Sequence, residues 1–212
     1  GLSAGRPCAF IRLSRCNLAC TWCDTAYTWD FANHDRKANQ VTLSEADAAA
    51  KIAALGQSRL VITGGEPLLQ APALAKMITA LPQMHIEVET NGTVLPPPAL
   101  DRLIQQYNVS PKLSHSGNSG KLALIPERLA SWAADPRAWF KFVIADPADL
   151  AEVLALQQAH AIPSARIFLM PEGRDSGGLR SRARWLAPIC SRHGFNLSDR
   201  LHIHLYGDTR AT

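Results

Sequence analysis

The sequence lacks any apolar run of the roughly 20 residues that a membrane-spanning helix needs, and its start has no signal-peptide pattern. Aromatic residues make up only 7% and charged residues 19% of the chain, but the hydrophobic share of 47% is ordinary for a folded globular protein. Disordered, fibrous and membrane-spanning classes are therefore excluded. We expect a single domain over residues 1–212 that has no membrane partner.

The chain also lacks a strong charge of one sign. Its formal net charge is +4, and most basic residues are scattered. The densest basic group falls on one predicted helix and the segment before it, where a solvated face or contacts to a carboxylated substrate are the two interpretations. Neither interpretation indicates a nucleic-acid partner. The group consists of Arg174, Arg180, Arg182, Arg184 and Arg192.

Cysteine is scarce outside one short segment. Of the five cysteines, Cys8 lies in a strand-like and Cys190 in a helix-like apolar pattern, where cysteine serves as a small buried hydrophobic residue. The odd count argues against a disulfide framework, and we therefore expect a protein of the reducing cytoplasm. The other three, Cys16, Cys20 and Cys23, form a CX3CX2C triplet.

This triplet suits a metal cluster that keeps one ligand position open. A structural zinc site takes four protein ligands, whereas a [4Fe–4S] cluster held by three thiolates leaves one iron free to bind a small molecule. The triplet alone leaves a zinc site open as an alternative, with His34 as an outlying fourth ligand.

Short apolar runs alternate with segments of helical periodicity from end to end. This alternation predicts an α/β fold with a parallel sheet and right-handed crossovers. Because a closed barrel of eight units takes about 250 residues, we expect an open, partial (β/α) barrel of the TIM type with about six or seven parallel strands. The predicted strands are 8–13, 60–63, 86–89, 108–110, 139–144, 167–170 and 201–206, and the predicted helices are 44–56, 68–80, 99–106, 147–160 and 179–193.

Motifs rich in polar residues, glycine or proline follow four of the predicted strands. They are residues 63–67 (TGGEP), 89–92 (ETNG), 110–112 (SPK) and 170–173 (MPEG). Each fits an ordinary turn, but the C-terminal ends of parallel strands are also where such sheets bind ligands. Paired glycines let the backbone approach a ligand closely, and Glu89 and Asn91 suit hydrogen bonds to a ribose and a carboxylate. Together the motifs predict one binding site.

The CX3CX2C triplet resembles that of the radical S-adenosylmethionine (SAM) superfamily, in which the open iron binds SAM and an electron from the cluster splits it to a 5′-deoxyadenosyl radical. A more specific resemblance, to the 7-carboxy-7-deazaguanine synthase family, runs along nearly the whole chain. That family converts 6-carboxy-5,6,7,8-tetrahydropterin to 7-carboxy-7-deazaguanine with loss of ammonia in the biosynthesis of queuosine and other 7-deazapurines. The matching segments are 5–7, 10–13, 16–18, 22–25, 63–67, 89–92, 110–112, 140–144, 170–173 and 200–203.

The resemblance implies roles for individual residues. Cys16, Cys20 and Cys23 would bind the [4Fe–4S] cluster, Thr25 would ligate Mg²⁺, and Arg12 and Thr63 would contact the substrate. The guanidinium of Arg12 suits a bidentate grip on a carboxylate. The implied SAM contacts are Trp22, Cys23, Asp24, Gly65, Glu66, Glu89, Asn91, Ser110, Pro111, Lys112, Met170, Pro171, Glu172 and Gly173.

The resemblance also implies a homodimer and a reductase such as flavodoxin or ferredoxin. A glycyl-radical-enzyme activating protein is the rival within the superfamily, because it has the same cysteine spacing; it consumes SAM and needs a protein partner. Residues 22–25 and 170–173 favour the pterin enzyme. Lys141 within an apolar strand suggests an inward-facing amine, whereas His202 and His204 on the predicted last strand fit core or substrate-contacting roles equally.

Two departures from the family pattern stand out. The family has a substrate-binding Gln-Gly-Glu-Gly segment where this chain begins, and we expect that N-terminal strand to be missing from the sequence. Arg15 replaces the glycine that the family has before the first cysteine.

Overall fold

The computed structural model describes residues 2–210, so the predicted domain limits at residues 1 and 212 lie outside the described residues. One parallel sheet forms its centre, with seven strands in the order β1 to β7. Between Leu2 and Arg210 no strand pairing joins β1 to β7, so the barrel is open. The predicted α/β fold with an incomplete parallel barrel is confirmed. The strands are β1 Ala9–Leu13, β2 Arg59–Gly64, β3 His85–Thr90, β4 Gln106–Val109, β5 Ala138–Ile144, β6 Ile167–Pro171 and β7 Asn196–Leu197.

Helices follow the strands, and the ends of two of them show residues that favour such ends. The Ser44 hydroxyl caps α2 by accepting a hydrogen bond from the Asp47 N–H, and α8 ends at Gly194 in the left-handed conformation. In the described part of the chain, no helix is long and apolar enough to cross a membrane. The helices are α1 Arg36–Asn39, α2 Glu45–Ala53, α3 Ala71–Thr79, α4 Pro98–Asp101, α5 Gly120–Ala123, α6 Pro126–Ala134, α7 Asp149–His160, α8 Ser176–His193 and α9 Leu201–Tyr206.

The two faces of the sheet differ in chemistry. Apolar residues such as Leu60, Val88 and Phe140 are fully buried in the core shared with the helices. Because side chains alternate along a strand, the neighbouring residues point to the other face. Arg12 and Thr63 are register partners on β1 and β2 and line a cavity on that face. The sheet therefore separates a packed outer core from a polar interior.

The predicted strand over residues 201–206 is wrong, because this segment forms helix α9. The alternating apolar residues that suggested a strand do not share a buried face: Ile203 is buried, whereas Leu201 and Leu205 are exposed. The last strand is instead the short β7. His202 and His204 therefore do not share a strand face, and His204 Nε2 lies 3.0 Å from Asp199 Oδ2.

The predicted helix over residues 99–106 is also too long. Helix α4 ends at Asp101, and Gln106 already begins strand β4. Gln106 is buried, and its side-chain amide donates to Glu87 Oε2 on β3 at 3.1 Å. Gln106 thus pairs with Glu87 of β3, and residues 102–105 form the connection between α4 and β4.

Candidate active site

A loop after β1 carries the cysteine triplet at the C-terminal edge of the sheet. Cys16, Cys20 and Cys23 are half-buried free thiols. Burial raises the pKa of the Cys16 and Cys20 thiols, because a thiolate loses hydration when it leaves water. Free thiolates are therefore disfavoured there without a positive partner such as a metal centre.

Nitrogen donors point at all three sulfur atoms of the loop. Asn118 Nδ2 lies 3.2 Å from the sulfur of Cys20, Trp29 Nε1 lies 3.4 Å from that of Cys23, and the backbone N–H of Leu18 lies 3.5 Å from that of Cys16. A neutral thiol is a weak acceptor, whereas a thiolate attracts such donors strongly. The donor set fits cysteines that bind metal as thiolates.

The arrangement differs from that of a single-ion site. Among residues 2–210, no group of three or more histidine, cysteine or acidic side chains converges on one ion. Thus His34 does not complete a zinc site with the triplet there. The thiolates of a [4Fe–4S] cluster each bind a different iron, and three cysteines on one loop fit that cluster.

The paired glycines after β2 pack against the start of the cysteine loop. A Cβ atom at Gly64 would lie 2.1 Å from the Leu13 carbonyl oxygen, and one at Gly65 would lie 2.1 Å from that of Arg15. The Gly65 N–H donates to the Leu13 carbonyl at 3.0 Å, and the Glu66 N–H donates to the Arg15 carbonyl at 2.8 Å. The close approach that these glycines allow is therefore between the end of β2 and the cysteine loop of the same chain.

Glu66 joins the ends of two neighbouring strands. Its side chain is fully buried, accepts hydrogen bonds from the Leu68 N–H and the Thr90 hydroxyl on one oxygen, and accepts one from the Asn91 N–H on the other. Burial raises the pKa of this carboxyl group. Asn91 in turn donates from Nδ2 to Asn17 Oδ1 at 3.0 Å, so this network holds the cysteine loop as well.

Arg15 adopts a backbone conformation that favours glycine, with φ of 73°. A left-handed conformation costs a residue with a Cβ about 1–2 kcal/mol, and part of that would be offset by the extra freedom of glycine in the unfolded chain. Arg15→Gly is expected to stabilise the protein by about 1 kcal/mol. Urea unfolding would check this, and a midpoint equal to or below that of the wild type would contradict the strain argument.

A large cavity of about 1500 Å³ opens at the C-terminal edge of the sheet, and a smaller one of about 40 Å³ lies beside it. Most of the predicted site residues line one or both; Cys16, Glu66 and Pro111 line neither. The predicted residues on the large cavity are Arg12, Cys20, Trp22, Cys23, Asp24, Thr25, Thr63, Gly65, Glu89, Asn91, Ser110, Lys112 and Met170. Those on the small one are Trp22, Asp24, Met170, Pro171, Glu172 and Gly173.

The sequence matches the radical SAM superfamily over residues 10–120. A 7-carboxy-7-deazaguanine synthase of Pyrobaculum aerophilum is 39% identical over 99% of this chain and 90% of its own length. Another from Halobacterium salinarum is 32% identical over 100% of this chain and 88% of its own. This chain belongs to the 7-carboxy-7-deazaguanine synthase family. The crystal structure of QueE from Escherichia coli shares its fold, with a TM-score of 0.66 and 24% identity over 94% of this chain and 88% of that one.

Membership of the 7-carboxy-7-deazaguanine synthase family confirms the predicted resemblance. The family assignment replaces the two alternative interpretations, which were a zinc-binding module and a glycyl-radical-enzyme activating protein. The family also accounts for the cysteine spacing, since radical SAM proteins hold a [4Fe–4S] cluster and SAM.

Two lysines stand out on the cavity wall of this family member. Lys141 Nζ donates to Glu89 Oε1 at 2.9 Å, which confirms that its amine faces the interior. Burial opposes ionisation of Glu89, but the charge and hydrogen bond of Lys141, together with the charge of Arg12, lower the Glu89 pKa. Lys112 Nζ lies 2.9 Å from both the carbonyl and the hydroxyl oxygen of Ser110, and burial lowers its pKa.

Arg200 lies at the cavity, although no role for it is predicted from the sequence. Its guanidinium pairs with Asp24 and also donates to the Gly173 carbonyl. Arg200 thus connects the cysteine loop to the segment after β6, across 176 positions of sequence from Asp24. Its position just before α9, within a matching segment of the family, was the only available indication.

Proposed function

We propose that this chain is a 7-carboxy-7-deazaguanine synthase, a radical SAM lyase that converts 6-carboxy-5,6,7,8-tetrahydropterin to 7-carboxy-7-deazaguanine with loss of ammonia. One observation carries the proposal: cysteines of the triplet and the substrate-contacting candidates Arg12 and Thr63 line the same cavity. Its volume of about 1500 Å³ exceeds the roughly 300–1,000 Å³ of common small-molecule pockets. It therefore has room for SAM and a pterin together.

The protein's contribution is to hold and orient its ligands. When bound, the [4Fe–4S] cluster and SAM supply the radical that takes a hydrogen atom from the substrate. Cys16, Cys20 and Cys23 would hold the cluster, and Ser110 and Lys112 offer a hydroxyl and an ammonium group to SAM on the cavity wall beside it. Water and oxygen have to be kept from the reacting atoms, which a deep cavity between the strand ends favours.

The substrate end of the cavity has matching chemistry. Arg12 and Thr63 lie side by side on β1 and β2 and point to the same face. The Arg12 guanidinium would grip the substrate carboxylate through two parallel hydrogen bonds, and the Thr63 hydroxyl would donate or accept beside it. The Lys141–Glu89 pair lines the same cavity and presents fixed charges to polar ring atoms of a pterin.

An anaerobic assay tests this function. Reconstituted protein, SAM, a reductant and Mg²⁺ should convert 6-carboxytetrahydropterin to a product with the mass of 7-carboxy-7-deazaguanine, while 5′-deoxyadenosine stays far below product because SAM is regenerated. An activating enzyme would instead consume SAM stoichiometrically and without the pterin. Fully clustered protein that leaves the pterin untouched would refute the proposal.

We further propose that the Thr25 hydroxyl ligates Mg²⁺ when substrate is bound. Its Oγ1 lies 3.6 Å from the Cys23 sulfur, and the residue lines the large cavity. Mg²⁺ commonly takes few protein ligands and completes its shell with water and substrate oxygens, which suits a lone hydroxyl beside a carboxylated substrate.

Thr25→Ala is therefore expected to lose most of the stimulation of activity by Mg²⁺. The control Thr25→Ser retains a hydroxyl and should retain stimulation. Titration of Mg²⁺ at saturating substrate gives the measurement, with iron content and SAM affinity unchanged in both variants. Full Mg²⁺ stimulation in the alanine variant would contradict the assignment.

We also propose the remaining properties implied by the family resemblance. They are a single-domain subunit, assembly as a homodimer, location in the cytoplasm and reduction by a flavodoxin- or ferredoxin-like protein. The reducible cluster requires an electron donor, and the half-buried cysteine loop leaves Asn17, Ala19 and Thr21 exposed for its approach.

A further inference from the structure

Two side chains without a predicted role donate to the cysteines of the triplet. Asn118 lies in the segment between β4 and α5, 98 positions from Cys20, and its Nδ2 is 3.2 Å from the Cys20 sulfur. Trp29 follows Cys23 by six positions, and its Nε1 is 3.4 Å from the Cys23 sulfur. Both distances lie within the reach of an N–H···S hydrogen bond.

The orientation of the Asn118 amide is fixed by a second contact. Its Oδ1 accepts the Ala19 N–H at 2.9 Å, so its Nδ2 faces Cys20. The turn before Asn118 is docked on the cysteine loop as well, since the Thr21 N–H donates to the Ser116 carbonyl at 3.0 Å. A Cβ at Gly117 would lie 2.7 Å from the Thr21 side chain, which shows how closely the two segments approach.

Helix α7 anchors the same turn from its other side. Glu152 accepts hydrogen bonds from the N–H and the hydroxyl of Ser114, at 3.0 and 2.8 Å to one of its oxygens. His115 Nδ1 lies 3.0 Å from Asp149 Oδ1. The turn before Asn118 is thus tied to α7 as well as to the cysteine loop.

The Trp29 side chain has a single hydrogen-bonding atom, which faces Cys23. An indole nitrogen donates only, and it is the backbone N–H of Trp29 that donates to the Ala26 carbonyl, at 3.0 Å. The neighbouring Thr28 carbonyl accepts from the Arg15 N–H at 2.7 Å, which ties this part of the loop to the residue before Cys16. The backbone that carries Trp29 is therefore tied to the start of the cysteine loop.

We propose that Asn118 and Trp29 set the reduction potential of the cluster by donating hydrogen bonds to the sulfur atoms of Cys20 and Cys23. One-electron reduction by an external donor adds negative charge to the cluster and its thiolates, with no proton transferred. An N–H dipole aimed at sulfur stabilises this more negative state and raises the potential. The inference rests on the cluster of the proposed function and is independent of the pterin substrate.

The test is an EPR-monitored redox titration of the reconstituted full chain, without SAM or substrate, using dithionite as reductant. Asn118→Leu and Trp29→Phe should each shift the one-electron equilibrium about tenfold toward the oxidised form, about 59 mV lower. Asn118→Asp keeps the acceptor for Ala19 but replaces the donor by a negative charge, and its potential should be the lowest of the three. The control Asn33→Asp makes the same charge change at an exposed asparagine that bonds Asp30 and should leave the potential unchanged.

Each alternative result contradicts the proposal. A wild-type potential in Asn118→Asp together with a shift in Asn118→Leu would show that Asn118 acts only through Ala19. Unchanged potentials in Asn118→Asp and Trp29→Phe would show that neither donor sets the potential of the cluster. An equal shift in Asn33→Asp would show that the potential follows the net charge of the protein and not a local hydrogen bond. Variants that fail to bind iron would assign these residues to loop structure instead. Because no pterin is present, failure of the substrate assignment would not change any of these outcomes.

Discussion

Replacing Cys16, Cys20 or Cys23 by alanine is expected to abolish cluster binding and with it all radical chemistry. The three cysteines lie on one loop and each of their sulfur atoms receives an N–H donor, and three thiolates are the minimum for a [4Fe–4S] cluster with an open iron. The wild-type protein reconstituted without oxygen should hold about four irons per chain and be brown. Iron and sulfide analysis with visible absorption gives the measurement.

Cys8→Ala and Cys190→Ala are the matched controls and should retain cluster and activity. Cys190 is buried in α8, and its thiol donates to the Asn196 carbonyl at 3.5 Å. Cys8 directly precedes β1, at the opposite end of that strand from the triplet. Loss of the cluster in either control, or its survival in a variant of the triplet, would refute the ligand assignment.

Much of the site could be predicted because a parallel sheet brings all strand ends of one kind to the same edge. The segments after β1, β2, β3 and β4 are far apart in sequence, yet Thr25, Gly65, Asn91 and Lys112 line one cavity. Strands such as β5 were also clear, since a short apolar run bounded by turn residues is typical of a buried parallel strand. The local sequence pattern and the topology of a parallel sheet are together sufficient to predict these features.

Contacts between distant loops could not be predicted in the same way. Asn118 and Arg200 reach the cysteine loop across 98 and 176 positions, and nothing in the composition of their segments indicates which side chain makes the contact. The α9 helix was missed for a different reason. Residues 201–206 alternate between apolar and polar types, but tertiary packing buries only Ile203, so periodicity did not reflect burial.

The second large effect is expected at Gly65. An added Cβ would lie 2.1 Å from the Arg15 carbonyl oxygen and 2.9 Å from the Cys16 Cβ, and the first of these atoms is backbone that cannot rotate away. Gly65→Ala should therefore displace the cysteine loop, destabilise the protein by about 3 kcal/mol or more, and reduce the iron content sharply. Urea unfolding of the metal-free protein and iron analysis after reconstitution measure the two effects.

Gly120→Ala is the control for this substitution. Gly120 begins α5, and an added Cβ there would meet no atom within 4 Å. Its unfolding free energy should stay within about 0.5 kcal/mol of wild type, with full iron content. If Gly65→Ala matched Gly120→Ala in both measurements, the loop before Cys16 would not depend on close backbone contact with the end of β2.

A stable Gly65→Ala protein that has lost only its cluster would show that the loop had moved while the rest of the protein stayed folded. The paired glycines would in that case serve to place the thiols, whereas the fold itself would tolerate the added methyl group.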